Sequence, residues 1–404
     1  MGVSTDRPRL GRDFGRLWTA TAATNIGDGI AMAAGPLLIS SLTNDPRLVA
    51  LAVFAQQLPW VLFSLVSGAW VDRLDRRKVI ASVNVFRGLV IGGLATAIWA
   101  DAATVWLVYA AFFLIGTGET LADTASSAML PAIVAPDLLP KANARLTAVL
   151  YVGNQFAAPP VGAALFVLGA ALPFGVNAAM FLLAALVVLG IRHRPPPREP
   201  DPDRHLGREI REGVRWLFAH RLIRTIAICL GLMNVLLMAA FAIFVLYAKE
   251  RLGLGDIGFG VLLTAGAVGG LIGTGLVAPL RRRFGDSTLL RVGLLVETAT
   301  HVGLALATDA WVAGATMVVF GVHGAIWGVV GTSIRQRLVP DELRGRVGSV
   351  VYLLVIGGSA VGAPLGGLLA VWLGVTGPFW VGAGAMAVLT AVVWRRFGKA
   401  AFAV

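Results

Sequence analysis

Long apolar runs separated by short polar connections fill almost the whole chain. A helix needs about 20 apolar residues to cross a hydrocarbon layer of about 30 Å, and the runs predict twelve such helices. They lie at 15–40, 47–71, 79–101, 104–130, 145–168, 172–191, 224–248, 256–280, 288–308, 311–334, 346–373 and 376–394. We number them spans one to twelve in chain order. No run shows the alternation of apolar and polar residues that a β-barrel strand requires, so the sequence predicts an all-α integral membrane protein.

The chain contains a repeat at a spacing of 204 residues, which is about half of its 404 residues. The recurring residues include Pro136, Gly153, Pro160 and Gly162, with counterparts at Pro340, Gly357, Pro364 and Gly366. A shared register without a gap indicates a duplicated unit. Since each half holds six of the predicted spans, we expect two pseudo-symmetric six-helix bundles, at 1–191 and 224–404, joined by a cytoplasmic linker at 192–223.

The linker changes character along its length. Its first part, up to about residue 206, is rich in proline and charge, and we expect it to be extended. Apolar residues then follow helical spacing, with arginines between them; they are Leu206, Ile210, Val214, Leu217 and Phe218. This pattern is typical of a helix that lies at a membrane surface. We predict a strap that covers the two halves, and a regulatory or lipid-sensing role is the alternative.

Composition indicates that the chain lies in a lipid bilayer, and the distribution of charge predicts its orientation across the membrane. The chain is 57% apolar and 14% charged, whereas ordinary soluble domains carry about 25% charged residues. Of its 34 Lys and Arg, 30 fall on one set of loops and tails, three (Arg47, Lys249 and Arg251) fall on the other, and Arg87 lies within a span. An excess of Lys and Arg marks the cytoplasmic side. We therefore predict a multi-pass protein of the cell membrane with both termini cytoplasmic. The dispersed basic residues favour contact with the lipid bilayer and disfavour nucleic acid as a partner.

A basic motif follows span two. Gly68, Asp72, Arg73, Arg76 and Arg77 match the pattern Gly-x-x-x-Asp-Arg-x-x-Arg-Arg/Lys, which resembles the loop signature of the major facilitator superfamily. The resemblance implies that these residues form a gate that latches one conformation and does not touch the substrate. The alternative is that the basic residues serve membrane topology alone. In the second half, the segment from 275 to 283 keeps the basic cluster but lacks the Asp, which leaves gating there open.

Two copies of a glycine- and proline-rich segment lie in spans five and eleven. The first contains Pro160 and Gly162, and the second contains Pro364 and Gly366. A proline removes a backbone donor and bends a helix, and small residues allow close approach of a neighbouring helix. The segments resemble a motif of the superfamily's antiporters, in which the bend is associated with export. A kink that serves packing alone is the alternative.

Ionisable residues within spans are costly in a membrane and are therefore candidate functional sites. Asp28, Arg87 and Glu119 each lie about nine to twelve residues from the predicted cytoplasmic end of their span, which places them at a similar depth. We predict a buried charge network in which one carboxylate neutralises Arg87 while the other takes up a proton. Glu119 is the first candidate proton carrier and Asp28 the second, and a permanent Asp28–Arg87 ion pair is the alternative. Asp123, one helical turn after Glu119, is a candidate relay or a wet residue at a cavity mouth.

The second half carries its own titratable residues. His323 is the counterpart of Glu119 at the 204-residue spacing, and Glu297 and His301 lie on one helix face. We therefore add His323 to the candidate proton carriers, and Glu297 and His301 to the charge network with Arg87, because a histidine can respond to a proton gradient. The alternative is that these histidines are ordinary hydrogen-bonding residues. The positions are too scattered for metal-ligand spacing, so we predict no metal and no cofactor.

A cavity between the halves would be lined by amide and aromatic residues. The candidates are Gln56, Gln57, Trp60, Asn154, Gln155, Asn234 and Trp327. Such a lining suits a large, partly apolar organic compound as the substrate. The chain has no Gly-x-x-x-x-Gly-Lys-Ser/Thr nucleotide-binding loop, which favours an ion gradient or the substrate's own gradient over ATP as the energy source.

The resemblance covers residues 15 to 394. Ala34 to Leu38 in span one and Glu212 to Leu217 before span seven resemble the branch of the superfamily that holds the enterobactin exporter and macrolide-type efflux pumps. It implies a proton-coupled exporter of amphiphilic organic compounds that works by alternating access, not an enzyme, with a monomeric state expected. A lysophospholipid flippase of the same fold and a non-transporting membrane sensor are the alternatives.

Overall fold

The computed structural model describes residues 10–71, 74–192 and 206–398, and the regular structure in these ranges is helical throughout. The α-helices are Gly11–Leu42, Pro46–Val71, Arg76–Trp99, Val105–Ile133, Leu139–Ala148, Ala158–Leu168, Leu172–Leu189, Leu206–Ala219, Arg221–Phe241, Phe244–Leu246, Asp256–Leu306, Ala310–Leu338, Arg344–Leu373 and Gly377–Val393. Two π-helices, Val149–Ala157 and Tyr247–Arg251, and two 3-10 turns, Pro136–Leu138 and Asp341–Leu343, complete the described elements. Eight of the described helices are long and apolar enough to cross a membrane.

The helix pattern is consistent with twelve spans. The longest helix, Asp256–Leu306, turns at Gly285, where φ is 72° and ψ is 163°. This left-handed φ suits a residue without a Cβ, and it divides the helix into spans eight and nine. Span five runs without interruption from Leu139 through the π-helix to Leu168. Span seven likewise continues beyond Phe241 into a short helix and the second π-helix.

The two proline-containing segments differ in backbone geometry. In span five the π-helix Val149–Ala157 directly precedes Pro159 and Pro160. Two consecutive prolines remove two amide donors, which explains why regular α-helical bonding is interrupted there. Span eleven remains α-helical across Pro364. The backbone bonding is therefore irregular beside the first copy and α-helical across the second, and the bend expected at each copy stays a prediction.

Glycines at every fourth position bring helix backbones together. In span eleven three such glycines lie against span seven, and a Cβ on any of them would overlap a backbone carbonyl of span seven. The glycines are Gly358, Gly362 and Gly366, and the carbonyls belong to Gly231, Val235 and Ala239. In the first half Gly162 lies against the carbonyl of Ile30 in the same way. Both bundles thus use small residues for close packing, as expected for membrane helices.

The hydrophobic cores show how the halves are joined. We call the end of the bundle that holds the loops rich in Lys and Arg the basic end, and the other end the far end. One core at the far end contains residues of both halves, such as Leu37 and Val49 from the first and Phe244 and Phe379 from the second. At the basic end each half has a core of its own. The halves are therefore packed together at the far end and form separate cores at the basic end.

The amphipathic helix Leu206–Ala219 packs on the second half. Leu217 is fully buried in the basic-end core of that half. Arg346, near the start of span eleven, donates a hydrogen bond to the Glu212 carboxylate, and Gly213 approaches the backbone of the same arginine. Val214 and Phe218 are exposed. The helix thus combines a protein-facing and an exposed apolar side, as expected at a membrane surface.

Candidate functional site

A cavity of about 750 Å³ lies between the two halves. Five of the residues that the sequence placed in a cavity line its wall; they are Gln56, Gln57, Trp60, Asn154 and Gln155. Ile39, Val49, Phe244 and Phe259 belong both to this wall and to the shared far-end core. The shared core therefore forms the floor of the cavity at the far end.

Two other cavity candidates are placed elsewhere. The Trp327 side chain is buried in the core of the second half, where its indole N–H donates to the carbonyl of Leu290 at 3.1 Å. The Asn234 amide donates to the carbonyl of Leu230 at 2.9 Å, and its Oδ1 accepts the Ser359 hydroxyl at 3.4 Å. Both polar groups are thus bonded within the second half, and neither residue lines the cavity.

The cavity wall differs between the halves. The first half contributes two carboxylates, five amides and one phenol; these polar residues are Asp28, Gln56, Gln57, Glu119, Tyr151, Asn154, Gln155 and Asn177. The second half contributes glycines and large apolar residues, which include Met238, Phe241, Phe259, Met317 and Phe320, and a single phenol, Tyr352. No Lys, Arg or His is among the described residues that line the cavity. The first half also contributes apolar residues such as Met32 and Phe112, so its wall is mixed and carries the acidic groups, whereas the opposite wall is apolar apart from Tyr352.

Arg87 and Asp28 form an ion pair beside the cavity. Arg87 is 2% exposed, and its Nη2 donates to the Asp28 carboxylate at 3.0 Å and 3.2 Å. The guanidinium also lies over the Phe181 ring, 4.0 Å from its centroid, which adds a cation–π contact. Gly118 makes room for the Arg87 methylenes, since a Cβ there would lie 2.8 Å from Arg87 Cγ. The arginine is thus held on three sides.

Glu119 and Asp123 complete an acidic cluster with this pair. A smaller cavity of about 240 Å³ is lined by Asp28, Arg87, Glu119 and Asp123 together with Asn25 and Asn84. Asp28, Glu119 and Asn154 line both cavities, so they mark the junction between the two. The structure therefore brings together the four ionisable residues that the sequence placed in spans one, three and four of the first half.

The titratable residues of the second half form a separate cluster. His323 Nε2 lies 2.9 Å from the Glu297 carboxylate, and His301 Nδ1 lies 3.0 Å from the Glu297 carbonyl. All three side chains are buried, and none lines the main cavity. The predicted network of Arg87, Glu297 and His301 is therefore divided between two clusters, one in each half. Across the described ranges, no group of three or more His, Cys, Asp or Glu is placed to hold a metal ion.

The basic motif after span two is described in part. Gly68 lies near the end of the second helix, whereas Asp72 and Arg73 lie outside the described residues. Arg76 donates to the carbonyl of Ala128 in span four at 2.9 Å. Arg77 donates to the carbonyls of Leu189 and Ile191 after span six at 3.1 Å each. The two arginines thus bond spans three, four and six at the basic end.

The second half has an acidic residue that the sequence reasoning missed. Asp286, between spans eight and nine, accepts hydrogen bonds from Arg281 at 2.8 Å and 3.1 Å and from Arg337 of span ten at 2.5 Å. Burial alone would raise the pKa of the Asp286 carboxyl, but the two arginines outweigh it and hold the pKa below its usual value. The adjacent pair Gly285–Asp286, directly after the basic cluster, is the signal that would have found it.

Lys249 was also missed, and it links the halves at the far end. Its Nζ lies 3.2 Å from the Ser40 hydroxyl at the end of span one and 3.0 Å from Asp256 at the start of span eight. Ser40 belongs to the first half, and the other two residues belong to the second. This polar link lies beside the shared core, and it would have to break if the far end opened.

Comparisons with known proteins place the chain among transporters. A family described as "transmembrane secretion effector" matches residues 7–399. The enterobactin exporter EntS of Shigella boydii is 27% identical over 367 residues, which cover 88% of this chain and 85% of the relative. The EntS protein of Escherichia coli O6:H1 is 26% identical over the same lengths.

Solved structures support the same fold. The nucleoside transporter NupG aligns with a TM-score of 0.77 at 11% identity, covering 96% of this chain and 100% of that one. An inward-facing bacterial homologue of the iron transporter ferroportin aligns with a TM-score of 0.76 at 19% identity, covering 97% and 100%. At these identities the likeness shows the fold alone, and the predicted fold is confirmed.

Proposed function

Because the chain belongs to the transmembrane secretion effector family of the major facilitator superfamily, we propose that this membrane transporter exports amphiphilic organic compounds in exchange for protons. The observation that carries the proposal is the cavity between the halves. Its volume of about 750 Å³ falls within the range of small-molecule binding sites. Its polar lining residues come almost entirely from the first half, its second-half wall is apolar, and an acidic cluster adjoins it.

The arrangement of the cores suits alternating access. We propose that the basic end is cytoplasmic, in keeping with the distribution of Lys and Arg. The far-end core closes the cavity floor, while the basic ends of the halves have separate cores, so a substrate would enter from the cytoplasm. Two pseudo-symmetric bundles of this kind transport a substrate by rocking against each other about a fixed central site. Export then requires the far-end core and the Lys249–Ser40 link to part.

Glu119 is the carboxylate best placed to couple transport to protons. Asp28 already has Arg87 as its counter-ion. Glu119 borders both cavities, and the described ion pairs give it no Lys, Arg or His of its own. A carboxyl group binds a proton in a dry surrounding and releases it in a wet one, which is what a carrier needs as the cavity opens and closes. Asp123 would relay the proton, whereas His323 is paired with Glu297 away from the cavity.

The test compares driven and undriven transport in proteoliposomes. The panel consists of a radiolabelled macrolide, a radiolabelled catecholate siderophore and a radiolabelled lysophospholipid, each with an imposed pH gradient. We expect Glu119→Gln to abolish accumulation driven by the pH gradient and to preserve counterflow, because the amide keeps the shape and loses the titration. Glu250→Gln, at an exposed carboxylate near the far end, is the matched control.

Accumulation that persists in Glu119→Gln would remove Glu119 from the coupling mechanism. Transport of the lysophospholipid alone, without any dependence on pH, would favour a flippase over a proton-coupled exporter.

A further inference from the structure

Glu119 is accompanied by aromatic rings on the cavity wall. Trp60 of span two and Glu119 of span four line the same cavity, and the two spans approach closely one turn earlier, where a Cβ on Gly116 would overlap the Gln56 carbonyl. Trp60 packs edge-to-face on Tyr352 of span eleven, with ring centroids 6.2 Å apart and an interplanar angle of 65°. Tyr352 comes from the other half, so this ring pair spans the two halves at the cavity. All three side chains line the cavity, and Tyr151 lies on the same wall.

The charges of the cavity lining have one sign. The described lining residues include two carboxylates, Asp28 and Glu119, and no Lys, Arg or His. Arg87 neutralises Asp28, and its guanidinium is almost completely buried. An anionic ligand would therefore meet Glu119 without a free cation to bind it. A cationic ligand would meet a carboxylate without an ion pair of its own, in a cavity that Trp60 and Tyr352 also line, and aromatic rings attract cations.

The opposite wall fits the rest of such a ligand. Phe241, Phe259, Phe320, Met238 and Met317 line this wall, and the ring centroids of Phe241 and Phe320 lie 6.2 Å apart. Aromatic rings and methionines offer apolar and adaptable contact area, which suits bulky apolar groups of varied shape. The cavity thus places a cation-binding corner in front of an apolar wall.

We propose that the compound transported by the function proposed above is an organic cation with a bulky apolar body. Its charged group lies at Glu119 between Trp60 and Tyr352, and its body lies against the phenylalanines of the second half. The proton and the cation then compete for the Glu119 carboxylate, so binding of one displaces the other. For a singly charged compound, exchange against one proton moves no net charge.

The other carboxylates around Glu119 are paired or lie outside the main cavity, so Glu119 is the group that binds either the proton or the organic cation. Asp28 from span one faces it and is paired with Arg87 from span three. Asp123 lies one turn away on span four, and Tyr352 lines the main cavity from span eleven. Asp123 lines the smaller cavity and not the main one, so it can accept the proton that leaves Glu119 without contacting the cation.

The test uses two probes of the same shape and opposite charge, tetraphenylphosphonium and tetraphenylborate. Binding of each radiolabelled ion to the purified full-length protein in detergent is measured at mildly alkaline pH. We expect the wild type to bind the phosphonium at least tenfold more tightly than the borate. Glu119→Gln should weaken phosphonium binding at least tenfold, equivalent to about 1.4 kcal/mol, and Glu250→Gln should leave it unchanged.

Competition is tested by proton release. In weakly buffered solution at acidic pH, addition of the phosphonium to wild-type protein should release protons, and the same addition to Glu119→Gln should release none. If Glu119→Gln folds poorly, Tyr352→Leu provides the second variant, and it should weaken binding of the phosphonium more than binding of the borate. Equal or tighter binding of the borate overturns the proposal, as does unchanged phosphonium affinity in both variants.

The outcomes separate this inference from the proposed function. Selective, Glu119-dependent binding of the phosphonium without any transport driven by a pH gradient would overturn proton-coupled export and support the substrate class. Proton-driven export by a protein that prefers the borate would overturn the substrate class and support the export function.

Discussion

Removing the partner of a buried arginine gives the strongest test of the charge cluster. Asp28→Asn leaves Arg87 without the carboxylate that accepts its two hydrogen bonds. Arginine cannot shed its proton to become neutral, so the charge stays in a site that is 2% exposed. Breaking a buried ion pair in this way costs about 3–5 kcal/mol. Glu119 and Asp123 line the same small cavity and supply part of the missing charge, which puts our expectation at about 3 kcal/mol.

The size of the first half converts this cost into a temperature. A unit of 150–250 residues loses about 2–4 °C of melting temperature per kcal/mol, so we expect Asp28→Asn to melt roughly 10 °C below the wild type. Arg87→Met should cost less, because the stranded Asp28 can take up a proton. Replacing the pair together, as Asp28→Leu with Arg87→Met, should restore most of the stability, since apolar groups of similar volume need no counter-ion.

Thermal unfolding followed by tryptophan fluorescence in detergent measures these shifts. The control is Asp341→Asn, which breaks an exposed pair with Arg344 whose side chains are 78% and 50% exposed. Exposed pairs contribute about 0–1 kcal/mol, so the control should melt within about 3 °C of the wild type. A double variant that is no more stable than Asp28→Asn would refute the reasoning, because the loss would then not come from an unpaired charge.

Two further predictions concern packing and the basic end. Gly366→Ala should lower the free energy of unfolding by at least about 1–3 kcal/mol and reduce the yield of monodisperse protein, because its Cβ would overlap a carbonyl of span seven. In the control Gly357→Ala, in the same span, the Cβ meets open space, so the yield on size-exclusion chromatography should match the wild type. Equal yields from the two variants would contradict this packing argument. Asp286→Asn should lower the free energy of unfolding by about 2 kcal/mol, because it removes charge-assisted hydrogen bonds to two arginines. The pKa of Asp286 in the folded protein lies below its ordinary value of 3.8. The ion pairs therefore contribute their full stability above pH 3.8, and this contribution is lost as the pH falls through the pKa of the folded protein. The melting temperatures of Asp286→Asn and wild type should therefore converge in acid, and a gap that widens there would count against the ion pairs.

Much of the fold and part of the candidate site follow from the sequence. Apolar runs and the 204-residue repeat predict the spans and their division into halves, because span length and duplication are written directly in residue order. Counting residues from the span ends placed Asp28, Arg87 and Glu119 at one depth, and the structure places them around one small cavity. Helical rise is regular enough for depth to be read in this way.

The direction in which a side chain points from its helix was harder to predict than its depth in the membrane. Trp327 and Asn234 lie at suitable depths but point into the second half. In a soluble helix, polar residues mark the face turned to water. In a membrane helix, lipid and protein interior are both apolar, so the pattern carries little information about direction. Asp286 could have been found beside Arg281, five residues earlier, but its second partner Arg337 lies 51 residues away and only the folded chain brings those two together.

The duplicated halves have kept their packing and diverged in their chemistry. Gly162 and Gly366 occupy equivalent places, and at each a Cβ would overlap a neighbouring backbone, so any larger residue would force the helices apart. Side chains that face open space are under no such constraint. Glu119 lines the cavity, whereas its counterpart His323 is bonded to Glu297 within the second half. The repeat therefore keeps a similar scaffold in both halves, and divergence of positions such as 119 and 323 places the acidic groups among the described cavity residues in the first half alone.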